Sequence, residues 1–110
     1  MAEQLPDIDT TTTILDEEQT QLIPPWNVVL LDDQDHTYQY VISMLSKILG
    51  VNSRVAAGMA REVDVSGRVI VFTGSRERCE LIQEQIHNWG ADPLIPWCKG
   101  SMSAVIEEAE

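Results

Sequence analysis

The chain has 110 residues, with 7 Lys and Arg against 18 Asp and Glu and a formal net charge of −11. That length holds one domain and excludes a two-domain enzyme or an oxidoreductase with its own dinucleotide fold. The charge repels phosphate backbones and anionic headgroups, so nucleic acid and membrane surfaces are excluded as partners.

Residues 1–23 carry six acids and no base, mixed with Gln and the run Thr10 to Thr13, without a sustained apolar period. They read as a flexible acidic extension ahead of a folded core at 24–110. No apolar run approaches the roughly 18 residues of a bilayer span, and the start MAEQLPDIDT lacks the basic and apolar stretches of a signal peptide. A cytoplasmic location is expected. Cys79 and Cys98 stand outside any C-x-x-C or His-rich context. They are expected as two free thiols, neither of them a nucleophile.

Pro24 and Pro25 close the extension, and the apolar run Trp26 to Leu31 then enters an acidic loop, as a strand would. Tyr38, Val41, Ile42, Leu45, Ile48 and Leu49 recur on one face of a 3.6-residue period that stops at Gly50. A second helix is expected from Asn52 or Ser53 as N-cap, burying Val55, Ala56, Met59 and Ala60 and ending near Glu62. Arg68 to Thr73 reads as a strand by β-branched content. Gly74 breaks it, and Ser75 caps a third helix with Cys79, Ile82, Ile86 and Trp89 on one stripe and Gly90 at its end. Asp92 to Pro96 is expected as an extended piece, Trp97 to Gly100 as a turn and Ser101 to Ile106 as an edge strand. The order β-α-α-β-α-β predicts an α+β fold, a small three-stranded sheet packed by three helices.

The densest polar cluster, Asp32, Asp33, Gln34, Asp35 and His36, lies between the first strand and the first helix, where binding groups commonly gather. One reading is a solvated turn, with Asp35 or His36 as helix cap and Gln39 reaching back. A second is a divalent-metal site, for which no other cluster completes the shell. The third is an anionic cradle for a cation such as an amine, since neighbouring carboxylates accept charge-assisted hydrogen bonds. That cradle needs an apolar pocket beside it. Tyr38, Val41, Met59, Ala60 and Val63, with Asp64, bring acid and apolar groups together, although plain core packing is the default account of the apolar ones. A phosphoacceptor receiver domain would need five strand-helix units and does not fit. No G-x-S-x-G, P-loop, H-E-x-x-H or paired C-x-x-C occurs, so no catalytic residues, cofactor or metal are expected.

Over about residues 24–96 the sequence resembles the ClpS adaptor family, through PPWNVVLLDDQDHTYQYV, EVDVSGRVIVFTG and the third helix ending before DPL. The family pattern Asn-Asp-Asp-x-Thr-Pro-x-x-Phe-Val aligns without a gap on Asp32 to Val41. The resemblance implies a fold similar to the ribosomal stalk protein's C-terminal domain, with the sheet antiparallel. It further implies a monomeric, non-enzymatic adaptor that captures substrate proteins by a bulky hydrophobic N-terminal residue. Such an adaptor delivers them to a Clp AAA+ unfoldase through that enzyme's N-terminal domain.

By the same resemblance, the substrate's α-ammonium falls to Asp32, Asp33, Gln34 and Asp64, and its side chain to His36, Tyr38, Val41, Ala60, Val63 and Leu94. Several of these depart from the pattern. Asp32 stands for Asn, Gln34 for Asp, His36 and Thr37 for Thr-Pro, Tyr38 and Ala60 for Met, and Asp64 for His. An ionised Asp64 only accepts hydrogen bonds, which suits an ammonium. Tyr38 would narrow the pocket entrance and Ala60 deepen its floor. A Glu and a Lys of the family's unfoldase-binding surface fall on Ser75 and Glu80. Two rivals follow from the residues alone: a stalk-like interaction module without amino-terminal specificity, and a small metal-dependent or acid-base enzyme using Asp32, Asp33, His36 and Asp64.

Overall fold

The structure, a computed structural model, describes residues 23–33 and 35–109. Its elements are β1 (Trp26–Leu31), α1 (Tyr38–Leu49), α2 (Ser53–Ser66), β2 (Arg68–Gly74), α3 (Arg76–His87) and β3 (Ala104–Glu108), in the expected order. β1 takes the centre of an antiparallel sheet ordered β2-β1-β3. Its continuous apolar run explains the placement, because in the central strand Val28, Val29 and Leu30 are all fully buried, Val29 between its cross-strand partners Ile70 and Val105. Val28 pairs with Phe72 and Ile106, and Val29 with Ile70 and Val105; a bulge between Val28 and Val29 leaves Val71 as the extra residue of β2.

Each helix begins on a side chain that accepts a backbone N–H: Thr37 from Tyr40, Asn52 from Val55 and Ser75 from Arg78. Gly50 and Gly67 end α1 and α2 in the left-handed conformation, at φ of 71° and 84°, where a side chain would be strained. The core forms where Tyr40, Val41, Met44 and Leu45 of α1 meet Ala56, Ala60 and Val63 of α2 and Cys79, Ile82 and Ile86 of α3 over Val28 and Leu30.

Three boundaries differ from the sequence reading, each for a packing reason. α2 runs on to Ser66 because Val63 is buried and Gly67 provides the stop. α3 ends at His87, since Asn88 leaves helical geometry, so Trp89 lies beyond the helix and is 38% exposed instead of sharing its buried stripe. The last strand is an edge strand but starts at Ala104; Met102, buried in the core, precedes it. Between α3 and β3 the chain turns repeatedly, with Ile95 N–H donating to Asp92 O at 3.2 Å and Cys98 N–H to Ile95 O at 3.1 Å. The extended piece expected at Asp92 to Pro96 is therefore a turn.

Candidate functional site between the first two helices

β1 stays hydrogen bonded up to the acidic loop: Leu31 N–H donates to Ser103 O and Asp32 N–H to Gly67 O, both at 3.0 Å. The loop is then fastened from inside. Asp33 Oδ1 accepts from Asp35 N–H at 3.0 Å, and its two oxygens lie 2.7 and 2.8 Å from His36 Nδ1. The His36 side chain is only 3% exposed, with its Nε2 2.7 Å from Gly100 O and its ring 4.5 Å from that of Tyr40. The helix cap is Thr37, not Asp35 or His36, because the helix starts at Tyr38 and the Thr37 hydroxyl meets Tyr40 N–H at 3.2 Å.

Thr37 is itself held by a carboxylate from the far end of the chain. Its N–H and hydroxyl donate to Asp92 Oδ2 at 2.7 and 2.8 Å, while Asp92 Oδ1 accepts Leu94 N–H at 2.9 Å. Burial alone would push the Asp92 carboxyl up. The bonds from Thr37 and Leu94 and the nearby His36 ring outweigh it and hold the carboxyl below its ordinary value. Asp92 was legible only as an Asx turn, an acid followed two residues on by the N–H it accepts. Sequence reasoning gave neither it nor Cys98 a role.

A second constellation lies across the seam of α1 and α2. The Tyr38 hydroxyl donates to Asp64 Oδ2 at 2.6 Å, joining the first turn of α1 to the last turns of α2. That bond raises the Tyr38 phenol above its ordinary value, helped by desolvation and by the charges of Asp64 and Asp32, with Arg61 opposing. Asp32 and Asp64, from different parts of the chain, thus act on one hydroxyl. Both are exposed, and Val41, Ala60 and Val63 are buried, at 5%, 2% and 2% exposure. Val41 lies one turn on from Tyr38, and Ala60 one turn before Asp64, on the same helix faces. The acids therefore cap an apolar seam.

Of the residues singled out in the sequence, Tyr38 and Asp64 meet here under the influence of the Asp32 charge, while Val41, Ala60 and Val63 are buried in the core. Asp33 and His36 belong to the internal fastening of the loop, and Gln34 lies outside the described residues. Leu94, 59% exposed, is brought to the opposite flank of α1, where it lines a hollow of about 690 Å³ with Gln39, Tyr40, Ser43, Trp89 and Asp92. Ser75 is the cap of α3 and Glu80 pairs with Arg76 at 3.3 Å. Among the described residues no group of three His, Cys, Asp or Glu is placed to hold a metal ion, and no helix is long and apolar enough to cross a membrane.

Comparison with known proteins agrees with this class of small α+β adaptor domain. The family profile described as ATP-dependent Clp protease adaptor protein ClpS matches residues 21–94. The chain is 28% identical over 88 residues to the ATP-dependent Clp protease adapter protein ClpS of Nostoc sp., covering 76% of this chain and 91% of that one. Its counterpart in Thermosynechococcus vestitus is 33% identical over 76 residues, covering 66% and 81%. A solved structure of Agrobacterium tumefaciens ClpS2 bound to L-phenylalaninamide superposes with a TM-score of 0.67 at 15% identity, covering 78% of this chain and 98% of that one. The chain belongs to the ClpS family of Clp protease adaptors.

Proposed function

We infer that the protein captures substrates by their N-terminal residue, with Asp32 and Asp64 receiving the α-ammonium and the seam of Val41, Ala60 and Val63 receiving the side chain. The family pattern would add Gln34 to the polar rim, whereas Asp33, taken up by His36 and Asp35 N–H, and Leu94, on the opposite flank of α1, stay outside this site. The observation that carries this reading is the Tyr38 hydroxyl itself. A donor already sits at 2.6 Å from Asp64, under the influence of Asp32, on a residue one helical turn from buried Val41. An incoming ammonium is a stronger donor for the same acceptors. L-phenylalaninamide, which the Agrobacterium ClpS2 structure holds, is chemically a first residue with its amine free and its carboxyl capped.

The captured protein then passes to a Clp AAA+ unfoldase, whose N-terminal domain the adaptor contacts, and the adaptor itself makes and breaks no covalent bond. It works as a monomer in the cytoplasm, with residues 1–23 as an extension of the adaptor core at 24–110. Burial of one large apolar side chain contributes about 1.5–3 kcal/mol, and two charge-assisted hydrogen bonds about 3–6 kcal/mol. Association costs come off this sum, so low-micromolar binding is the ceiling.

The test is anisotropy titration of a labelled Phe-starting peptide and its N-acetylated twin. The free amine is expected to bind at least about tenfold more tightly, the loss of one charged hydrogen bond. Equal binding of the two, or none, overturns the reading in favour of an interaction module blind to the amino terminus.

A further inference from the structure

Cys98 stands in a constellation that the adaptor reading does not use. Its Sγ lies 3.4 Å from His36 Nε2, and His36 Nδ1 faces the Asp33 carboxylate at 2.7 Å. Thiol, imidazole and carboxylate are thus in series, the arrangement in which a base beside a nucleophile is oriented by a third group. An ionised carboxylate only accepts, so Asp33 keeps the proton of a neutral imidazole on Nδ1 and turns the Nε2 lone pair outward. That lone pair would face the Gly100 carbonyl at 2.7 Å, an acceptor against an acceptor. Moving the thiol proton to Nε2 converts this clash into a hydrogen bond, in exchange for the one the thiol donates to the same Gly100 carbonyl at 3.2 Å. The resulting imidazolium has an acceptor on both nitrogens and the Asp92 carboxylate nearby. On the sulfur side, Asp92 N–H already donates to Sγ at 3.2 Å and would support a thiolate.

Access separates this thiol from the other. Cys98 is partly exposed, between exposed Trp97 and Lys99, whereas Cys79 is fully buried, its Sγ 3.3 Å from Trp26 O and its thiol pushed up by burial. We propose that Cys98 is a nucleophilic thiol, activated by the His36–Asp33 pair, and the site at which this protein is modified by peroxides. In the reaction the sulfur attacks one peroxide oxygen, an S–O bond forms and the O–O bond breaks. Sulfur loses two electrons to the peroxide, and the departing hydroxide leaves as water with the proton held on His36. The products are cysteine sulfenic acid and water.

The experiment exposes the full chain to hydrogen peroxide at pH 7 with dimedone as trap, followed by peptide mass spectrometry. Three references are run: a synthetic peptide spanning residues 95–101, the Asp33→Asn chain and the His36→Asn chain. Cys98 is expected to be trapped at least about tenfold faster than the peptide thiol, which is only a few per cent ionised at this pH. Cys79 should stay unmodified on that time scale. Both variants should lose most of the advantage, with circular dichroism confirming that each is folded. A Cys98 rate no higher than the peptide's overturns the proposal by itself and needs no variant. So does a rate unchanged by Asp33→Asn in a folded chain.

Discussion

Two pairs of acids behave in opposite ways. Asp92, 2% exposed, has its oxygens filled by Thr37 and Leu94, and Asp33 is taken up by His36 and Asp35 N–H. Asp32 and Asp64 stand exposed, with Asp64 holding the Tyr38 hydroxyl. A buried carboxylate is tolerable only when saturated with donors, and once saturated it is a structural strut. An exposed one keeps free acceptor capacity for a ligand. The same residue type therefore braces the loop on one flank of α1 and offers a binding rim on the other.

The comparison breaks most sharply at the strut. Asp92→Ala would leave Thr37 N–H and Leu94 N–H without their partner and is expected to lower stability by about 2–4 kcal/mol in urea unfolding. A loss below about 0.5 kcal/mol would mean the loop does not depend on it. The same carboxylate sets a pH signature. Its folded value lies below the unfolded one, so its contribution is complete above about pH 4, the unfolded value, and fades as pH falls through the folded value. The stability gap between the wild type and Asp92→Asn should accordingly narrow on acidification from pH 5 to pH 2.

On the rim the pattern inverts. Asp64→Ala should weaken binding of a Phe-starting peptide by about 1–3 kcal/mol while leaving the urea midpoint almost unmoved. A large loss of stability would place Asp64 with the struts. Tyr38→Phe removes the resident donor and should tighten binding of a free amine about threefold, a small effect because the hydroxyl is exposed. The hydroxyl also titrates. Its folded value is raised, so the contact is complete below about pH 10, the unfolded value, and is lost as pH rises through the folded one. Absorbance at 295 nm should show a lower phenolate midpoint in Asp64→Asn; an unchanged one would deny the 2.6 Å bond.

What was legible in the sequence follows the range of the forces involved. Helix periodicity, the Asn52 and Ser75 caps, the Gly50 stop and the apolar run of β1 are local signals, and all describe elements that are present. The residues alone grouped Tyr38 with Asp64 only as acid and apolar groups recurring together, and their hydrogen bond, across 26 positions, leaves no mark in the sequence. Asp92 is 55 positions from Thr37 and Gly100 is 64 from His36, and neither contact leaves a mark in the sequence. Leu94 shows the limit of carrying a pattern over by alignment. The turns between α3 and β3 put it on the hollow beside Gln39 and Ser43, while Met102 is the residue of this segment that enters the core.

The most direct measurement combines the acids and the amine in one thermodynamic cycle. Affinities of a Phe-starting peptide, with its amino terminus free and acetylated, would be compared in the wild type and in a chain carrying Asp32→Asn and Asp64→Asn. If these two carboxylates hold the ammonium, acetylation costs at least about tenfold in the wild type and nearly nothing in the double variant. An equal acetylation penalty in both proteins would contradict the account, because the amine would then be read somewhere else.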